Sequence, residues 1–391
     1  MKVAVITPIP TPYRDPFWNE VAAQPEIDLH VYYCSRGRGD RPWKPSWPVK
    51  FEADFTPAYN LTRFIAPGGA CYYNPAAIHH LKSTKYDAMV VGGYNHATML
   101  SAIFYARRSN TPYFLMNEVY LAQPRAAWRK MVKLPLVRSI VRHAAGYFPT
   151  GTLSGEYLVH YGASPSALYP LPNTPDVDAL WRDAQRMIGE QASIRRQLGL
   201  DEKPVIMFVS RLIQLKRVDL LLEAVRPLLA RDEATVVILG DGPMREAWQS
   251  LAEQLGVASR VRFEGFVQPD ELPRWYAVAD LFVLPSVDET WSVVVLESLA
   301  SGVPVVITDL VGCYADMVNS PEVGEVVPAG DAEAMGAAIH RRLQQPRTRQ
   351  QVADAWEPVR RELAYPVLAR RFVRALEQHT EGGSNCRTGA A

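Results

Sequence analysis

Short runs of β-branched and aromatic residues alternate with stretches of helical apolar spacing along nearly the whole chain. In the first half the predicted strands are Lys2–Thr7, Leu29–Tyr33, Tyr86–Val91, Pro112–Met116 and Gly146–Pro149. A second series runs through Val205–Ser210, Thr235–Leu239, Arg260–Phe263, Leu281–Leu284, Val303–Thr308 and Glu325–Val327. Helical patterns follow the later strands at Val218–Ala230, Met244–Gly256 and Ala332–Leu343, and a last one covers Tyr365–Thr380. Strands separated by helices are what parallel sheets with crossover connections require, so the chain reads as α/β with two doubly wound, Rossmann-like units. Three prolines within Leu168–Pro175 mark the linker between them. The expected division is residues 1–172, 173–364, a helix over 365–380 and a polar, Gly-rich tail over 381–391 predicted to be disordered. Two such units bind ligands at the carboxyl ends of their strands, which makes a cleft between them the expected site.

Composition narrows the partners. With 48% hydrophobic and 21% charged residues and a formal net charge of +1, the balance excludes nucleic-acid binding driven by bulk charge, so any anion site must be local. Cys34, Cys71, Cys313 and Cys386 are scattered without a Cys-x-x-Cys pair, which suggests reduced cytoplasmic thiols rather than disulfides or zinc. The first apolar run is too short for a signal-peptide core, and no stretch of ~18 apolar residues is present. Between Glu118 and Glu156 there is no acidic residue, while Arg125, Arg129, Lys130, Lys133, Arg138 and Arg142 interleave with Trp128, Met131, Val132, Leu136 and Ile140. This basic segment, 125–142, could lie on the inner face of an anionic membrane, or be a solvated helical face with its apolar stripe inward. Pro135 is expected to interrupt a continuous helix there.

The most informative segment is Pro285–Pro304. The strand Leu281–Leu284 ends at Pro285-Ser286, and Val293 to Ala300 is helical until Gly302 and Pro304 stop it. Glu289 therefore belongs to a loop at the carboxyl end of a strand, and Glu297 to the second turn of the next helix. Eight residues at a helical rise would separate the two carboxylates by at most ~12 Å, about the length of a ribose, diphosphate and hexose. Between them the amides of Thr290, Trp291 and Ser292, ahead of Val293, form a helix N-terminus that attracts a phosphate. A carboxylate at each end can accept hydrogen bonds from sugar hydroxyls. The bland alternative is a helix with an acidic first turn and a surface glutamate.

Upstream, a strand end delivers Arg211 and a helix opening delivers Lys216, two cations able to hold a diphosphate; alternatively, Arg211 caps a strand and Lys216 is solvated. Gly240 and Gly242, in Gly-Asp-Gly-Pro, permit a close backbone approach to a ligand, but no third glycine completes a dinucleotide fingerprint. Asp176-Val177-Asp178 has the form of a metal motif yet lies in the linker, and no metal site is expected. In the first half Arg14, in the loop after the first strand, is a candidate phosphate contact or a solvated helix start. His96 opens a helix after Gly92-Gly93 and is a candidate catalytic residue or a capping histidine. Glu118, at another strand end, can orient an acceptor hydroxyl or accept backbone hydrogen bonds.

The motifs from Val205 to Pro328 stand in one order: Ser-Arg-Leu-x-x-x-Lys-Arg around Arg211 and Lys216, Gly240-Asp-Gly242-Pro, Phe263-Glu-Gly-Phe266-Val267, and Pro285-Ser-x-x-Glu289-Thr-Trp-Ser with Glu297. Together they resemble retaining glycosyltransferases of family 4. The resemblance implies the two-domain glycosyltransferase B fold, with the last helix returning to the N-terminal domain. It also implies transfer of a hexosyl group from a nucleotide sugar to a hydroxyl acceptor, without cofactor or metal. Arg211 and Lys216 would then stabilise the leaving diphosphate, Glu289 hold the hexose, Glu297 hold the ribose, and Phe266-Val267 frame the base. Ser210, Arg217 and Glu-Thr-Trp-Ser depart from the family's glycines, and Glu118 stands where many relatives have a histidine. A nucleotide-sugar 2-epimerase and a non-catalytic nucleotide-sugar-binding protein are the alternatives.

Overall fold

The computed structural model describes residues 1–37, 48–62, 71–122 and 127–380, with 127–133 described by backbone alone. The chain divides into two compact units: Met1–Leu121 with Arg125–Asn173 and Tyr365–Ala391, and Ala122–Pro124 with Thr174–Ala364.

In the first unit the strands are β1 (Lys2–Thr7), β2 (Asp28–Tyr33), β3 (Glu52–Asp54), β4 (Tyr59–Asn60), β5 (Tyr72–Tyr73), β6 (Ala88–Val91), β7 (Tyr113–Asn117) and β8 (Gly146–Pro149). Six form a parallel sheet in the order β3-β2-β1-β6-β7-β8, and β4 pairs with β5 alone. Alternation along β1 sends Val3 and Val5 to one face and Ala4 and Ile6 to the other, and both faces are buried under helices. On the first of these faces the last helix, Tyr365–Thr380, sets Phe372 between Trp18 and Phe148, with ring centroids 5.5 and 5.1 Å away. That helix is thus part of the core of the N-terminal unit.

The second unit contains β9 (Val205–Val209), β10 (Thr235–Leu239), β11 (Val261–Gly265), β12 (Leu281–Leu284), β13 (Val305–Thr308) and β14 (Gly324–Val327). Their parallel order is β11-β10-β9-β12-β13-β14, the same winding as the first sheet. In each sheet the winding reverses between two central strands, β1 and β6 or β9 and β12. The carboxyl ends of those strands make the crevice where doubly wound sheets take ligands.

One expectation fails. Pro135 does not break its helix, which runs without interruption over Ala127–Arg142. An internal proline removes one backbone hydrogen bond, and here packing of Val137, Ile140 and Val141 into the core holds the helix together. Leu136, Arg138 and Arg142 are exposed. The tail 381–391, Cys386, Arg125 and the side chains of Trp128, Arg129, Lys130, Met131, Val132 and Lys133 lie outside the described residues. Among the described residues no helix is long and apolar enough to cross a membrane.

Candidate donor site

The two loops predicted to carry chemistry leave neighbouring strands at the reversal point of the second sheet. After β9 comes Ser210-Arg211, then a single 3-10 turn, Gln214–Lys216. After β12 comes the loop to Glu289 and the helix Val293–Ala300. A backbone bond from Val287 N–H to Leu215 O, at 3.0 Å, ties the two together. Lys216 is buried, with 5% exposure, and its Nζ donates to Glu289 Oε2. Arg211 is exposed beside them. The loops thus bring Lys216 and Glu289 into one ion pair.

Glu289 is braced by a segment that the sequence reading missed. Its N–H donates to Leu310 O at 3.1 Å, and its carbonyl accepts from Gly312 N–H at 2.8 Å, a strand-like bridge to the loop after β13. A side chain at Gly312 would collide with Thr290 O, so this glycine is required by close packing. No local pattern could have revealed a contact across more than twenty residues of sequence.

Gly240 and Gly242 hold positive φ, +140° and +155°, but not for the reason expected. A Cβ at either would meet the backbone of Ser210 or Leu212. The close approach is therefore to the Arg211 loop rather than to a ligand. Leu212 N–H donates to Asp241 O at 2.9 Å and Met244 N–H to Leu212 O at 3.0 Å, so the glycine turn supports the loop from below. Phe266 is exposed and Val267 packs partly against the core.

The helical rise assumed between the two glutamates holds for only half of that stretch. The helix starts at Val293, and a loop residue advances more than 1.5 Å, so ~12 Å is no upper bound on their spacing. Ser292 occupies a glycine-like conformation, φ +106°, and its buried hydroxyl makes no hydrogen bond among the described residues. Trp291 is buried in the core at 3% exposure, which leaves backbone as its means of reaching a ligand. The amides opening the helix have no partner within it.

Glu297, one turn further, accepts a hydrogen bond from Tyr276 Oη at 3.0 Å. Burial pushes its pKa up to about 7, against the opposing effect of the tyrosine. Tyr276 is fully buried and also reaches Val294 O at 3.3 Å, so it holds both the carboxylate and the turn that carries it.

The remaining candidates divide. Asp176 caps the helix Val177–Met187 by accepting from Ala179 N–H at 2.8 Å, and Asp178 pairs with Arg360, so both carboxylates of that motif are structural. In the first unit His96 is buried, stacks on Tyr72 at 5.3 Å and accepts its N–H at Nδ1, the environment of a capping histidine. Glu118 is exposed after β7 and accepts from Asn173 Nδ2 at 2.6 Å. A cavity of about 1130 Å³ opens in the same unit, lined by Met1, Asp87, Arg107, His143 and His379. It lies at the amino ends of β1 and β7, away from every motif residue and on the side where such sheets do not take ligands.

Residues 190–356, which include all of the second site, match the family described as glycosyl transferases group 1. The chain carries a group 1 glycosyl transferase domain. It is 41% identical over 124 residues to an uncharacterized glycosyltransferase of Methanocaldococcus jannaschii, covering 32% of each chain. It is 33% identical over 226 residues to a GDP-mannose-dependent alpha-(1-6)-phosphatidylinositol monomannoside mannosyltransferase of Mycolicibacterium smegmatis, covering 55% of this chain and 58% of that one. The alignment thus spans less than two thirds of either curated relative's length. The fold of the Anabaena protein HepE, solved in complex with UDP, matches 97% of this chain and all of that one with a TM-score of 0.74 at 16% identity. The group 1 domain thus stands in a chain of two Rossmann-like units, the glycosyltransferase B fold.

Proposed function

We propose that the protein is a retaining glycosyltransferase that moves a hexosyl group from a nucleoside-diphosphate sugar to a hydroxyl acceptor. The observation that carries this reading is the pairing of Lys216 with Glu289 beside Arg211, at the reversal point of the second sheet and just ahead of a helix N-terminus. Basic side chains and helix amides there can take up charge on a departing diphosphate, and no step of the reading calls for a metal or cofactor. Glu289 then holds the hexose and Glu297 the ribose. In the transfer, the bond from the anomeric carbon to the diphosphate oxygen breaks, the acceptor oxygen bonds to that carbon on the same face, and the acceptor proton passes to the leaving phosphate. A nucleotide sugar as donor is in keeping with the GDP-mannose dependence named for the mycobacterial relative and the UDP in HepE. The acceptor is a glycan, a lipid-linked saccharide or a small hydroxylated metabolite.

A thermal-shift screen with UDP, GDP, ADP and their hexose derivatives tests the donor class. One nucleotide should raise the melting temperature more than the others, because a ligand of the folded state stabilises it according to its affinity. No shift with any of them would overturn the reading. Incubation of the preferred nucleotide sugar without acceptor separates transfer from 2-epimerisation, in which the donor alone is converted. A sugar nucleotide that binds but is neither transferred, hydrolysed nor epimerised would mark a binding protein.

A cytoplasmic enzyme resting on the inner membrane face is the second part of the proposal, supported by exposed Leu136, Arg138 and Arg142 on one helix. The protein should float with anionic vesicles at low salt and stay behind at high salt. Its remaining wholly in the soluble fraction at low salt would remove membrane contact from the proposal.

A further inference from the structure

The first unit encloses a guanidinium without pairing it. Arg14, in the loop after β1, is 8% exposed, and among the described residues its side chain makes neither a hydrogen bond nor an ion pair. Only its backbone is engaged, the N–H reaching Thr11 O at 3.3 Å and Thr11 Oγ1 at 3.2 Å. Burial lowers its pKa to about 10, so the cation persists at neutral pH in surroundings that penalise it. The groups that attract it are Glu118, most strongly, then Tyr13 and Tyr365. The Glu118 carboxylate, however, accepts its hydrogen bond from Asn173.

A buried ion is normally paired and hydrogen-bonded, and a guanidinium has five N–H donors to satisfy. Its position is equally informative. β1 and β6 are the strands between which the first sheet reverses its winding, so the loop carrying Arg14 rims the ligand crevice of that sheet.

We propose that Arg14 binds a phosphate group of a substrate, its planar fork taking two of the phosphate oxygens. Only the identity of the molecule that carries the phosphate rests on the glycosyltransferase reading: either the nucleoside diphosphate of the donor or a phosphorylated acceptor.

The test compares the wild-type protein with Arg14→Met, which keeps the length of the side chain and removes its charge. Thermal-shift titrations with inorganic phosphate and, separately, with UDP, GDP and ADP give the two arms. Phosphate should stabilise the wild type, and its half-maximal concentration should rise tenfold or more in Arg14→Met. A parallel loss of nucleotide affinity assigns the phosphate to the donor; unchanged nucleotide affinity assigns it to the acceptor. Arg14→Lys retains the charge and should recover part of the phosphate response, which a role in filling volume would not produce; it also serves if the methionine variant does not fold. A phosphate response equal in wild type and variants, or absent from all, overturns the proposal. Loss of every nucleotide response in the wild type with an Arg14-dependent phosphate response intact would sink the glycosyltransferase reading alone.

Discussion

Lys216→Ala should lower stability by about 3 kcal/mol and cut turnover tenfold or more. Lys216 is almost fully enclosed and its ammonium is paired with Glu289, so truncation leaves a partly buried carboxylate without its counter-ion. Breaking one side of such a pair costs about 3–5 kcal/mol, far more than losing an exposed salt bridge. Glu289→Ala should do similar damage from the other side by stranding the ammonium. The double variant should then cost less than the two singles together, because neither charge remains to be compensated. Denaturant unfolding of the three variants measures this, and additive losses would show that the pair is not a unit. The loss of turnover has a separate origin. In the free protein the two side chains neutralise each other, whereas a bound donor presents phosphate to Lys216 and hydroxyls to Glu289, so each partner acts on the substrate directly. Near-normal turnover in Lys216→Ala would count heavily against the donor-site assignment.

Those elements bounded by sharp local signals could be read from the sequence alone. β1, β10, β12 and the helices Val218–Ala230, Val293–Ala300 and Tyr365–Thr380 have the predicted limits, since prolines, glycines or charged residues close each apolar run. The edge strand Glu52–Asp54 has no apolar signature and exists through pairing with His30–Tyr32. The helix Arg349–Leu363 went unread although its capping box, Thr348 with Gln351, is visible in the sequence. At the site the same division holds. Arg211, Lys216, Glu289 and Glu297 were legible because strand-end motifs are local. The brace from Leu310–Gly312, the hold of Tyr276 on Glu297 and the true neighbours of Gly240 and Gly242 are long-range contacts, which spacing along one chain does not encode.

Glu297 should make stability and donor binding respond to pH in opposite directions. Its pKa rises from the ordinary 4.5 to about 7, with burial as the cause. Between those two values the folded state holds a proton that the unfolded chain has released, so stability falls as pH rises through that window and is level on either side. The size of the shift corresponds to about 3 kcal/mol. Glu297→Gln removes the ionisation while nearly keeping the shape. Unfolding free energies of wild type and variant, measured from pH 4 to 8, should therefore differ little in acid and diverge above pH 4.5, with the glutamine protein the more stable by up to about 3 kcal/mol. A difference that stays constant across the range would show that the carboxylate is not strained by burial. Donor affinity should behave the other way. An ionised carboxylate is a stronger acceptor for ribose hydroxyls than a protonated one, so nucleotide-sugar affinity should rise through pH 7 in the wild type and be flat in Glu297→Gln. Glu297→Ala, which removes the acceptor altogether, should lose tenfold or more in turnover at any pH. Retention of a carboxylate that weakens the fold at neutral pH is what a substrate-binding role predicts, because a purely structural position would be better filled by an uncharged side chain.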